Sequence, residues 1–293
     1  MKFLLPLLLL SASLVTGCRE SVAFNESDPL DAQVSGEKAL AHVAALVAIG
    51  PRPAGSEAIE KCRAHLESEL TALGWSVHRQ TFTGKTPKGQ VEFVNLVARF
   101  GEEAWQGSVE GLLCSHYDTK PYDGFEFVGA NDGGSSTGLL VELARVLAGR
   151  PAVARRIELV LFDGEEAFGT NITSSDGLYG SKHYASEWLL KKASQRPRWG
   201  VLLDMVGDAN LNIRAAVRIP RNSIQDLVHA KEKGDYVVDI VSVEERLQRQ
   251  SRHLLAAADE LGLRQFIGIS PDYIVDDHIP LNVVAGIPTM DLI

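Results

Sequence analysis

Apolar residues recur at helical spacing early in the chain. In "GEKALAHVAALVAIG" (36–50), Leu40, Val43, Ala44 and Leu46 fall three or four positions apart or side by side, as on a helix with one buried face. "SEAIEKCRAHLESELTALGW" (56–75) repeats the pattern, with Ser56 placed to cap its start and Gly74 to stop it. The period then shortens. "WSVHRQTF" and "VEFVNLVARF" read as strands, and "VEGLLCSHYD" as a more apolar one. A helix pattern, "GGSSTGLLVELARVLAG", ends at Gly149. A buried strand "RRIELVLFD", a helix "LYGSKHYASEWLLKKA" and a strand "RWGVLLDMVGD" follow. This alternation predicts a three-layer α/β fold: a mostly parallel or mixed central sheet with helices on both faces. No repeat, low-complexity tract or strong boundary divides residues 37–293, which read as one α/β catalytic domain.

The first residues follow a different logic. "MKFLLPLLLLSASLVTGC" has one lysine and then an apolar run of secretory-signal length, too short for a stable membrane-spanning helix. Small residues stand before Cys18, and "LVTGC" resembles a bacterial lipobox. That resemblance implies a signal peptide over 1–17, lipidation of Cys18, and a polar tether over 18–36 holding an exported domain at the bacterial cell envelope. The membrane would then be contacted through the N-terminal lipid only.

Composition narrows the function. Hydrophobic content of 45% and charged content of 23% are ordinary for a globular protein, and a formal charge of -9 argues against nucleic acid as a partner. Beyond Cys18 the cysteines are Cys62 and Cys114, with no CxxC, so a cysteine-rich zinc site is excluded and two buried free thiols are expected.

Carboxylates collect where strands are predicted to end. "LLCSHYD" carries His116 and Asp118, "GANDGGSS" carries Asp132, and "LVLFDGEEAF" carries Asp163, Glu165 and Glu166. "VLLDMVGD" adds Asp204 and Asp208, and "YIVDDHIPL" adds Asp276, Asp277 and His278. The carboxyl ends of strands are where open α/β sheets bind ligands. Acidic groups packed together without a cation raise one another's pKa at a cost in stability. An oxygen- and nitrogen-rich set without thiolates suits a catalytic zinc site.

The segments "HYDTK", "GANDGG", "LFDGEEAF", "LYGSKHYA", "LLDMVGD" and "DDHIPL" occur in an order that resembles the glutaminyl-peptide cyclotransferases (glutaminyl cyclases). "IGPRPAGS" ahead of a long helix is similar to the family's opening segment. The resemblance runs from about Ala41 to Ile293, and is weakest over Asn210–Val243. It implies a zinc-exopeptidase-like fold, one Zn2+ ion, and peptides or proteins with N-terminal glutamine as substrates. Asp132 and Glu166 match zinc ligands. His116 matches an imidazole that ligates in two-metal relatives and lies beside the metal in cyclases. Glu165 matches the catalytic acid/base, and Asp276 a carboxylate partnered by Asp204. Asp118 reads as support for His116, Asp163 as a backbone cap, and His183 and Tyr184 as packing or surface positions.

The pattern also departs from the family. The resemblance places a third zinc ligand, a histidine in a Trp-His-Thr segment, after the strand matching "GIPTMDLI", and the sequence stops at Ile293. The expectation is a domain missing its C-terminal part. His116, Asp132 and Asp204 match the ligand set of the other metal position in the aminopeptidase relatives and are expected to hold a metal without that histidine. "GTNITSS" stands where animal cyclases carry aromatic pocket walls. Two other readings remain: a zinc aminopeptidase using Glu165 to activate water, and a non-catalytic surface lipoprotein.

Overall fold

The computed structural model describes residue 30 and residues 33–101, 104–220 and 238–293. The expected signal peptide, Cys18 and most of the tether lie outside the described residues.

Helix α1 (Gly36–Ile49) is capped by Ser35, whose side chain accepts the N–H of Lys38. Helix α2 (Glu57–Ala72) is capped by Ser56, which accepts from Ile59, and the chain leaves it through Gly74 at φ 88°. Both caps satisfy N–H groups that the helix cannot. Strands β1 (Trp75–Thr86) and β2 (Gly89–Phe100) form a hairpin. Then come β3 (Gly111–His116), α3 (Gly134–Ala148), the short α4 (Pro151–Ala154), β4 (Ile157–Phe162), α5 (Tyr179–Trp188) and β5 (Trp199–Leu203). The remaining elements are β6 (Ile213–Ala216), α6 (Ile240–Glu260), β7 (Ile267–Ile269), α7 (His278–Val283) and β8 (Thr289–Leu292).

The described strands make one eight-stranded sheet in the order β1-β2-β4-β3-β5-β8-β6-β7. Its centre, β4-β3-β5-β8, is parallel; β1–β2, β2–β4 and β8–β6 pair antiparallel, and β6–β7 is parallel. Alternation along β3 builds both faces. Leu112 and Cys114 join the core under α5 and α7, and Leu113 packs toward α1–α3. Close approach of α1 to α3 depends on Gly138, where a Cβ would stand 2.7 Å from the Ala39 carbonyl oxygen. A third cluster joins Val243 and Leu247 of α6 to Ile279 of α7 and Met290 of β8. Cys62 and Cys114 are free and buried, and burial pushes the Cys62 thiol up to about 12.

Helix α6 is not among the elements predicted above, although its Val243, Leu247 and Leu254 recur at helical spacing. The weakly matching stretch Asn210–Val243 includes β6 and the start of α6, with 221–237 outside the described residues.

Candidate active site

β3, β4 and β5 end at His116, Phe162 and Leu203, and they run parallel and adjacent, so the residues after them emerge along one edge. There His116 Nε2 lies 3.2 Å from Asp132 Oδ1 and 3.2 Å from Asp204 Oδ1. One potential ligand atom from each of His116, Asp132 and Asp204 falls within 4.8 Å of the others. The backbone permits this approach at Gly133, which has φ 69°; a Cβ there would stand 2.8 Å from His116 Cε1. Glu166 adjoins Asp132 but stands outside that three-residue group.

Arg52, fully buried, fixes the loop leading to Asp132. Its guanidinium donates to the carbonyl oxygens of Tyr117 at 2.7 Å, Val128 at 2.6 Å and Gly129 at 3.2 Å. Its own N–H donates to Thr119 Oγ1. Asp118, expected to support His116, lies 3.4 Å from His116 Nδ1, but its aligned hydrogen bonds are to the N–H groups of Glu165 and Glu166. Asp163 is more than a backbone cap: it accepts from Val94 N–H and pairs with Arg63 Nη2 at 2.5 Å. Tyr184 is buried and donates to Glu158, and His183 stacks on Phe82 with centroids 4.0 Å apart.

Burial raises the Glu165 carboxyl well above the usual carboxylate range; nearby His116 opposes the shift, while Asp276, Asp277 and Glu166 add to it. Burial, then Asp132, lifts Glu166 to about 7, although Lys120 Nζ lies 3.5 Å from it. Burial, followed by the charges of Asp204 and Asp277, holds Asp276 high. Burial opposes charge on His116, but the nearby carboxylates of Asp118, Asp132 and Asp204 outweigh it and raise the imidazole. Asp132 is partly buried, yet its contacts with His116 bring it below its ordinary value. Arg52, Lys120 and Asp291 stand near the site although no predicted cluster named them. Arg52 had a signal in "IGPRPAGS"; Asp291, inside a strand pattern, had none.

A metal ion fits the donors present. They comprise an imidazole nitrogen and carboxylate oxygens with no thiolate, and the other nitrogen of His116 lacks an aligned partner while facing Asp118, as metal-bound imidazoles commonly do.

A parallel sheet centre with this histidine–carboxylate group at its carboxyl edge defines an α/β fold of the zinc-exopeptidase type. The model of peptidase family M28 matches residues 95–293. A glutaminyl-peptide cyclotransferase of Drosophila melanogaster is 30% identical over 254 residues, covering 83% of this chain and 67% of the relative. The crystal structure of an Acidobacteriales bacterium glutaminyl cyclase superposes with TM-score 0.68 at 28% identity, covering 92% of this chain and 82% of that one. A Zn-dependent exopeptidase from Parabacteroides distasonis gives TM-score 0.69 at 28% identity, covering 89% and 84%. The chain belongs to peptidase family M28, and within it to the glutaminyl-peptide cyclotransferase group. It spans 62% to 68% of the length of the first four curated relatives.

Proposed function

We propose that this enzyme cyclises the N-terminal glutamine of peptides or proteins to pyroglutamate, releasing ammonia, and that one zinc ion assists. The observation that carries the reading is Glu165: a buried carboxyl just past the end of β4, its N–H held by Asp118, in a chain related to glutaminyl-peptide cyclotransferases. Its raised proton affinity suits it to take a proton from the substrate's α-ammonium group. The freed amine attacks the side-chain amide carbon. Glu165 returns the proton to the amide nitrogen as its C–N bond breaks and ammonia departs, and the ring nitrogen's surplus proton passes to the ammonia. Asp276, with Asp204 beside it, stays protonated because two close carboxylates do not readily ionise together, and it orients the leaving group. Asp132 with Glu166, or Asp132 with His116 and Asp204, would hold the zinc ion, which supplies Lewis-acid polarisation of the amide oxygen. Folding the glutamine side chain onto its own amine gains from proximity.

The three-residue group also supports an aminopeptidase reading, in which Glu165 activates water. Glutaminyl-arylamide and leucyl-arylamide separate the two: pyroglutamate from the first supports cyclisation, and free leucine from the second overturns it. We further propose export and anchoring through a lipid on Cys18, consistent with the lipobox-like "LVTGC". Labelling with radioactive palmitate, lost in Cys18→Ala, tests that.

A further inference from the structure

The end of the sheet opposite the catalytic carboxylates has its own chemistry. It is formed by the amino ends of the parallel strands, at Gly111, Ile157, Trp199 and Thr289. Arg196, Arg198 and Arg246 line one cavity of about 300 Å³ there. The N–H of Arg198 bonds to the Glu110 carbonyl, and Glu110 in turn bonds to Arg156 through both backbone and side chain. Arg155 adjoins Arg156 and lines a hollow with Ser108 and Val109. The exposed members, Arg155, Arg156 and Arg198, make a band along this end, while the Arg196 guanidinium is buried on the carbonyl oxygens of Lys191 and Ala285. Beside it α5 runs out into Leu190, Lys191 and Lys192, with the Lys191 carbonyl bonded by Arg196. Leu190 is 93% exposed, more than any other large apolar residue among the described ones. Among the described acids near this end, Glu110 pairs with Arg156, Glu158 pairs with Arg99, and Glu187 lies 3.8 Å from His183, while Glu37 and Glu245 are exposed.

The chain also enters the domain toward this end. α3 runs from the catalytic edge, and its later residues take hold of the incoming segment. Glu142 accepts the N–H of Ser35, and Arg145 donates to the carbonyl of Gln33.

We propose that this end is a docking surface for an anionic phospholipid bilayer, with the exposed Arg155, Arg198, Lys191 and Lys192 on the headgroups and Leu190 inserted between them. An exposed leucine followed by two lysines can place apolar atoms below the headgroups while the lysines hold phosphates. The net charge of -9 does not oppose this, because the catalytic carboxylates lie at the far end, and screening confines a surface charge to about 8 Å at physiological ionic strength. Docked this way, the catalytic edge faces away from the membrane, open to peptides.

The test is sedimentation of the full chain carrying Cys18→Ser, which removes any acyl anchor, with two kinds of vesicle. One is phosphatidylcholine alone; the other is phosphatidylcholine mixed equally with phosphatidylglycerol. The expected result is about tenfold tighter binding to the anionic vesicles, weakening with salt. That preference is lost when Arg155→Glu, Lys191→Glu, Lys192→Glu and Arg198→Glu are combined, all at exposed positions. Leu190→Asp alone weakens binding with the fold intact by circular dichroism. Equal binding to both vesicles, or an anionic preference that survives the four reversals, overturns the proposal. Release by millimolar inorganic phosphate also overturns it, by assigning the band to small anions.

Discussion

Asp118 accepts the backbone N–H of Glu165 at 3.1 Å through one carboxylate oxygen, and its other oxygen accepts the N–H of Glu166 at 3.2 Å. With both amides clamped, the two side chains must diverge. Glu165 turns into the buried group around Asp276 and Asp277, and Glu166 turns toward Asp132 and Lys120. Asp118→Ala leaves two buried N–H groups without acceptors, each costing about 1–3 kcal/mol. Urea denaturation should show a stability loss in that range, and glutaminyl turnover should fall more than the stability loss explains.

Glu165→Gln keeps the shape and removes the proton acceptor. The expected result is a loss of about 10²–10⁴ in kcat with KM little changed. Steady-state kinetics on a glutaminyl-arylamide checks it, and wild-type turnover by the variant would remove Glu165 from the mechanism.

His116 contributes the one nitrogen of the three-residue group. His116→Ala should reduce bound zinc, measured by elemental analysis after dialysis against buffered metal, by about tenfold or more. Unchanged zinc content would mean that Asp132 and Glu166 hold the ion without it.

Arg52 bonds three carbonyl oxygens, and its charge lies near those of Asp118 and Asp132. Arg52→Met leaves those acceptors buried and unpaired, so unfolding should cost about 3 kcal/mol less. Denaturation of the purified variant measures this. Arg52→Lys should recover only part, since an ammonium cannot span the same fork.

His278 and Asp291 face each other, with His278 Nδ1 at 3.5 Å from Asp291 Oδ2. Burial lowers the His278 imidazole to about 3, and burial with Asp276 and Asp204 pushes Asp291 well up. Both groups are therefore uncharged in the fold. Below the unfolded value of 6.5 the unfolded chain protonates His278 and the folded chain does not, so this term removes stability as pH falls toward 3. Asp291 has the opposite sign: the folded chain holds its proton where the unfolded chain has lost it, so stability declines as pH rises above the ordinary carboxylate range. Relative to wild type, Asp291→Asn should gain stability with rising pH and His278→Gln should lose it, each by up to about 1.4 kcal/mol per unit. Denaturation curves across that range check both slopes.

The sequence by itself determined most of the elements from α1 to β5, the short α4 apart, and which carboxylates share an edge. Periodicity marks α1 through β5, because burial on one face leaves its spacing in the chain, and a carboxylate closing an apolar run marks a strand's carboxyl end. Tertiary structure decided how those groups face one another. Nothing in "HYDTK" says that Asp118 clamps the amides of residues 165 and 166, because that contact depends on β3 and β4 lying parallel in register. The role of Arg52 depends on carbonyls 65 to 77 positions away. Likewise, no local pattern collects arginines from the segments before β4 and β5 and from α6 at one end of the sheet. Periodicity records the environment of each residue singly; partners distant in sequence are chosen by strand order and register, which the chain settles only when it folds.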